Sequence, residues 1–600
     1  MGTEPPERFR SARRTLEELP FCDILEDLVS QNDWWVLKVA ITNESHVRIA
    51  KRTEWYVFLP RNYPFGEISI FPSKTNGITE TYPHQAYNCP ERTEVPWLSG
   101  KPCLSSSLRT LGRQQYDVEP MSVEMRLAWH LNRLKDWLEE ADKGILVKKG
   151  DPFELPEYPN TLRTESLGFI GSRGRIGTLE EESWEQFGCA TMCRIVGKSN
   201  THVWIPAAFK DFRGTNISER VAKELYGCEE DDLFAIWVRV KNVPHVSPWR
   251  GIRTYCELRK FLKDEHIDLD ELLQMFSRNM RDGKRHILLI GFPVPEKFEG
   301  DCGSWYWLAI LLPILAHGRI NGFRESVLSY LLHDKATVLA DASEIQWVKS
   351  RSWHPNDILS RGSFDAALTT RKVIVIGLGA IGAFVAELLV RAGVKHIVLI
   401  DDDRVEIGNL TRHTLTIREI GELKVSALKR RLQIVEPNVT VEALPYSFVD
   451  ANSKSRYEIV SSDLIVDCTG DDSLLYDLSK PQFGVSKMFV SISVGFGAKQ
   501  VFVFCTKGAA FPADEFKNAI NPYLEREKKV IAGSELPRDG IGCWHPAFPA
   551  RCDDVWMMTS AAVKIVEAFV QGNERAYGLT VLRQKIVDGI SCGIERVFCP

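Results

Sequence analysis

Residues 373–424 constrain the fold more than any other stretch of this chain. They read VIVIGLGAIGAFVAELLVRAGVKHIVLIDDDRVEIGNLTRHTLTIREIGELK. An apolar strand runs into Gly377, Gly379 and Gly382, which open a helix, and a second apolar strand ends at Asp401. Glycines at this spacing give a tight turn, place phosphates at a helix N-terminus, and leave the acid about 20 residues on for a ribose. This predicts a dinucleotide-binding βαβ unit within a parallel sheet. Asn409, Arg412 and Lys424 follow as N-L-x-R…G-x-x-K. Two cations beside a phosphate site suit chemistry at phosphorus better than hydride transfer. The reaction expected is attack of a carboxylate on the α-phosphate of ATP. Solvated helix faces are the ordinary place for Arg412 and Lys424, so the expectation rests on the whole set of positions together.

From these residues the chain resembles the ThiF/MoeB family and the ubiquitin-activating enzymes, over roughly residues 355–600. The resemblance implies adenylation of the C-terminal carboxylate of a small partner protein. It implies that Gly377, Gly379 and Gly382 pack against the nucleotide, Asp401 binds the ribose, and Asn409, Arg412 and Lys424 hold the triphosphate. A third strand, DLIVDCTGDD, ends in Asp471 and Asp472. The family places its Mg2+-binding acid there; the spacing favours Asp471 and leaves Asp472 open. Relatives also form homodimers through this domain, with an arginine reaching across, for which Arg361 is the candidate.

The N-terminal third predicts an α+β domain. TLEELPFCDILEDLVSQ (15–31) has helical periodicity; WWVLKVAIT, RTEWYVFLP and ISIFPS read as strands. A long loop follows, then an amphipathic helix with Val123, Leu127, Leu131, Leu134 and Leu138 on one face. This order, with FLPRNYPFGEISIFP, resembles the ubiquitin-conjugating fold over about residues 10–148. The resemblance implies that Cys103, in SGKPCLSS, is an acyl-accepting nucleophile. A thiol accepts and passes on acyl groups readily and reacts as the thiolate, so Lys101 and Ser105–Ser107 are the expected supporting groups. The family's His-Pro-Asn tripeptide is missing, and His84 and Asn88 lie upstream as alternatives. A second cysteine, Cys543 in DGIGCWHPAFPARCDD, resembles the acceptor cysteine of activating relatives, with His545 as a neighbouring base. Cys552, nearer a helix start where a dipole favours the thiolate, is the competing candidate.

The remaining features bound the class. KKGDPFELPEYPNT reads as a linker that allows movement near 150–160. HVWIPAAF, DLFAIWVRV and HILLIGFPV then read as strands, and LDELLQMFSRNMRD and FRESVLSYLLHD as helices, with no chemistry-bearing motif among them. A length of 600 residues exceeds one core. A net charge of −5 gives no basis for a nucleic-acid partner. The longest apolar run, Trp307–Ala316, falls short of the ~20 residues of a membrane helix. The N-terminus has no apolar signal segment. The 14 cysteines include no C-x-x-C pair. This predicts free thiols in a reducing cytoplasm, most of them buried, and no structural zinc.

The expected architecture is α/β multidomain: a ubiquitin-conjugating-like domain (1–150), an α/β linker domain (151–350), and a Rossmann-like ThiF-type adenylation domain carrying the acceptor cysteine (351–600). That order resembles the CD-NTase-associated, fused ubiquitin-transfer enzymes of bacterial CBASS anti-phage operons. The resemblance implies ATP and Mg2+ as cofactors and thioester relay from Cys543 to Cys103. It also implies a cGAS/DncV-like nucleotidyltransferase as the partner whose C-terminus is conjugated to an amine. Sulfur-carrier activation, or a non-catalytic interaction protein on a Rossmann fold, are the alternatives; an NAD oxidoreductase fits least.

Overall fold

The computed structural model describes residues 4–90, 93–104, 119–196, 201–219, 233–300, 302–320, 326–480, 483–532, 536 and 548–597. The described residues up to Ser352 form one compact unit and those from Trp353 a second.

The first unit begins with helix Glu7–Arg14 and an antiparallel meander of strands Cys22–Gln31, Trp34–Thr42, Arg52–Pro60 and Ser69–Pro72. Strand alternation sends Trp35, Leu37, Val39 and Ile41 to one face, where they meet Leu127, Leu131, Leu134 and Leu138 of helix Met125–Lys143. Those four leucines are fully buried, so each truncation to Ala costs about 2–5 kcal/mol. Val36, Tyr56 and Phe58 take the other face and are covered by Trp97 from the long loop. The expected helix over 15–31 is corrected. A 3-10 turn ends at Glu18, and Cys22–Gln31 is an edge strand paired with Trp34–Thr42 through a turn whose Asn32 has φ +50°. Pro20 interrupts the helical pattern, and the tight turn locks pairing to the neighbouring strand against local periodicity.

A mixed nine-stranded sheet follows, including strands Phe187–Val196, His202–Lys210, Leu233–Arg239, Ile287–Pro295 and Cys302–Leu311. Helices Tyr255–Asp264 and Leu269–Met275 cover one face, and Trp184, Phe209, Trp237, Trp305 and Trp307 fill the other. The segment read as a movable linker is held on both sides. Phe298 N donates to Asp151 O (2.8 Å), Tyr158 packs on Trp347, and Tyr87 N donates to Glu157 Oε2 (2.6 Å). Its prolines mark an extended, contact-making strap.

The second unit is built on a sheet in the order 440–444, 396–400, 372–376, 464–467, 487–494, 500–508, 578–587, 590–597. The first five strands are parallel and the last three antiparallel. Strands buried on both faces read as continuous apolar runs, as VIVI and IVLI do. Helix Ala380–Arg391 packs on this sheet together with Cys552–Val570, where Phe384 stacks on Trp556 at 4.9 Å. Strand order reverses between 372–376 and 464–467, and crevices outside the carboxyl ends at such a reversal are where ligands bind. Among the described residues no helix is long and apolar enough to cross a membrane.

Candidate functional site

Three strand ends meet at this reversal. Strand Lys372–Ile376 leads into Gly377, which has φ +80°. A Cβ on Gly377 would lie 2.5 Å from Thr469 Cγ2, on the loop after strand Leu464–Asp467. Gly382 lets helix Ala380–Arg391 sit against the turn, since a Cβ there would lie 1.8 Å from Gly377 O. Gly379 differs: a Cβ would meet nothing within 4 Å. Two glycines are thus required by packing, and the third leaves open space at a helix N-terminus, where backbone N–H groups favour an anion.

This contrast gives a stability prediction. Gly382→Ala gains about 1 kcal/mol of helix propensity but forces an overlap that costs about 1–3 kcal/mol or more; urea unfolding should show net destabilisation. Gly379→Ala should change stability by under about 1 kcal/mol.

Asp401, at the end of strand His396–Ile400, accepts Leu378 N (2.6 Å) through one oxygen and Asp403 N (2.8 Å) through the other. His413 Nε2–H donates to Leu378 O (2.7 Å), and its Nδ1 accepts Leu415 N (3.1 Å). Burial pushes this imidazole below its ordinary range, in keeping with the neutral tautomer that these bonds require. Lys424, at the start of helix Lys424–Val435, is 9% exposed and pairs with Asp403 Oδ2 at 2.7 Å. The structure therefore brings Gly377, Gly379, Gly382, Asp401 and Lys424 together. Asn409 sits in a short turn with its Oδ1 accepting Glu406 N (2.9 Å). Arg412 Nη1 donates to Phe548 O (2.6 Å) and its carbonyl accepts Trp556 Nε1. Asp471 is exposed and caps helix Asp472–Leu478 through Ser473 N (2.8 Å). Arg361 is exposed.

Sequence reading missed several supports. Asp403 and His413 have none of the motif's spacing, although the triple-aspartate run 401–403 is visible. The carboxylate oxygens of Asp401, Asp402 and Asp403 lie within 4.8 Å of one another. Asp467 is buried, accepts both Thr469 N and Thr469 Oγ1 as well as Ser491 Oγ, and so fixes the loop under Gly377. Burial raises its carboxyl, and those hydrogen bonds oppose the rise.

Cys543 and His545 lie outside the described residues. Cys552 begins helix Cys552–Val570. Its thiol is raised, first by burial and then by Asp553.

In the first unit Cys103 is exposed and faces a cavity of about 540 Å³ with His84, Lys101, Glu119, His130 and Glu154 among its walls. Cys103 N donates to His84 O (2.7 Å), so the upstream loop does fold back to the thiol. Lys101 lines the same cavity, with its ammonium held by Glu67 and Ser69 Oγ (3.1 Å). Asn88 is buried with its Nδ2 committed to Ile78 O and Glu80 O. Ser105–Ser107 lie outside the described residues. Of the described cysteines, Cys22, Cys189, Cys193, Cys468 and Cys505 are buried.

Comparison with known proteins places these features. The ATP-dependent ubiquitin transferase-like protein Cap2 of Enterobacter hormaechei is 28% identical over 529 residues, which cover 87% of this chain and 87% of that protein. The sulfur carrier protein adenylyltransferase of Thermus thermophilus is 39% identical over 104 residues, 17% of this chain and 37% of that protein. The molybdopterin-synthase adenylyltransferase of Escherichia coli is 30% identical over 138 residues, 22% of this chain and 55% of that protein. Residues 144–353 match the Cap2 central linker domain and residues 358–508 the ThiF family. The chain is thus a multidomain α/β protein with a Cap2 central linker domain followed by a ThiF-family domain, similar to Cap2 along most of its length.

Proposed function

We propose that this chain uses ATP to activate the C-terminal carboxylate of a partner protein, then relays the acyl group through Cys543 and Cys103 to an amine on a target. The observation that carries the reading is the unbroken run of contacts at the strand ends: Thr469 to Gly377, Leu378 to Asp401, and Asp403 to Lys424. It links the glycine turn, Asp401 and the nearly buried Lys424 at the carboxyl ends of the parallel strands. Phosphates would lie in the space at Gly379, over the N-terminus of helix Ala380–Arg391. Asp401, held by two backbone N–H groups, presents its carboxylate to the ribose. Lys424 and Arg412 stabilise charge that develops as the partner's carboxylate attacks the α-phosphate and pyrophosphate leaves. Asp471 offers the hard oxygen donor that Mg2+ prefers, and the ion when bound would neutralise phosphate charge.

The partner proposed is a cGAS/DncV-like nucleotidyltransferase, primed by conjugation in anti-phage defence. Similarity to Cap2 along 87% of the chain supports this over sulfur-carrier activation, where similarity covers 17% to 24%. A homodimer through the adenylation domain, with Arg361 reaching across, belongs to the same proposal.

Calorimetry tests the nucleotide. ATP with magnesium should bind, NAD should not, and Gly379→Ala should weaken ATP binding without unfolding. Asp471→Ala should abolish partner-dependent release of pyrophosphate. Tight NAD binding with weak ATP binding overturns the reading.

A further inference from the structure

Cys103 and His84 are locked together by backbone. Besides the bond from Cys103 N, Ala86 N donates to Lys101 O (3.0 Å), and Gln85 bridges to Pro102. Both residues also line a second cavity of about 550 Å³, whose walls include Trp137 and Glu140 of helix Met125–Lys143. His84 has φ +57°, a left-handed conformation uncommon in residues with a side chain. Its Nδ1–H donates to Glu154 Oε2 at 2.7 Å. That bond leaves Nε2 as the nitrogen able to exchange a proton.

Glu154 comes from the strap that the Cap2 linker match includes. The strap is held in place: Glu157 accepts Tyr87 N, and Phe153 meets Trp249 edge-on, whose N donates to Thr81 O (3.0 Å). Two further pairs among the described residues line the first cavity. Glu67 holds Lys101, and His130 is buried with its Nε2 on Glu119 (2.6 Å).

We propose that Glu154 of the central domain positions His84 as the proton-transferring partner of Cys103, so that the thiol site is completed by two domains. The inference rests on the reading of Cys103 as an acyl carrier. When acyl arrives, His84 Nε2 takes the Cys103 proton. The sulfur bonds the carbonyl carbon, the bond to the donor sulfur breaks, and the departing thiolate recovers the proton. When an amine attacks the Cys103 thioester, Nε2 accepts the amine proton. The C–N bond forms, the C–S bond breaks, and the proton passes to the Cys103 sulfur. A base oriented by a third group is the general arrangement for an activated nucleophile.

The test uses the full chain and a small acyl donor, so it does not depend on any partner protein. p-Nitrophenyl acetate is used to acetylate Cys103, confirmed by peptide mass spectrometry with Cys103→Ala as the blank. Loss of the acetyl group to added lysine is then timed. His84→Gly, which suits the positive φ, should slow this aminolysis about 100-fold, and added imidazole should restore it beyond its effect on the unsubstituted chain. Glu154→Gln should slow it about 10-fold with no such rescue. A merely structural role for His84 would not respond to imidazole. Unchanged rates in both variants, or loss in His130→Gln instead, overturn the proposal. If Cys103→Ala still conjugates a partner, the relay reading fails while the acetyl assay still judges the His84–Glu154 pair.

Discussion

With Cys103 replaced by Ala, the full chain given ATP and its partner should accumulate a reducible thioester and stop there. The final, reductant-resistant conjugate should fall by at least about 1,000-fold, the scale of losing a nucleophile. An acyl adenylate in the second unit and an amine target reached from the first need a carrier between them, and a thiol accepts and releases acyl groups at little energetic cost. Cys543→Ala should leave pyrophosphate release intact and remove every enzyme thioester. Cys552→Ala should also leave pyrophosphate release intact but should keep the enzyme thioester, because Cys543 is the proposed acceptor. Denaturing gels with and without reductant separate these outcomes. Conjugation that survives Cys543→Ala and is lost in Cys552→Ala assigns the acceptor to the helix start.

Cys103 lies in the first compact unit, and Cys543 lies outside the described residues. Mixing Cys103→Ala with Cys543→Ala protein asks whether acyl passes between chains. Restored conjugation means transfer from one chain to another. Failure in confirmed mixed dimers means transfer within one chain.

The parts of this fold that sequence made legible are those where local pattern and packing agree. The leucines of Met125–Lys143 repeat at helical spacing and all face one core. The strands VIVI and IVLI are continuous apolar runs because helices cover both sides of the parallel sheet. Cys22–Gln31 was misread because Leu16, Leu28 and their neighbours fall at helical intervals while the pairing partner comes later in the chain. Register and tight-turn geometry decided that segment. The strap at 151–158 was misread for a different reason. Prolines announce extended backbone but say nothing about what lies beside it.

The sites divide the same way. Gly377, Gly379, Gly382 and Asp401 are close in sequence, and one βαβ unit places them. Lys424 also lies within that unit's reach. Asp467 and His413 gain their roles only through tertiary contact, with Thr469 and Leu378. His84 and Glu154 are 70 residues apart and meet across a domain join. No spacing rule connects them.

Lys424 tests whether that legible motif acts in chemistry or only in folding. Its side chain is nearly buried, yet its one ion-pair partner among the described residues, Asp403, is 69% exposed. Removing the charge therefore leaves a carboxylate in water, which costs little, unlike a carboxylate stranded in a core. Lys424→Met keeps an unbranched apolar stem at this buried start of helix Lys424–Val435. We expect the urea midpoint to report a loss under about 1 kcal/mol, as for exposed pairs. Partner-dependent pyrophosphate release should fall about 100- to 1,000-fold, the scale of losing one preorganised charge or donor at a transition state. ATP binding should weaken less than turnover, because the charge on the pyrophosphate grows as it leaves. A large loss of stability with proportionate loss of activity would make the Lys424–Asp403 pair a structural clasp and move the phosphate role to Arg412.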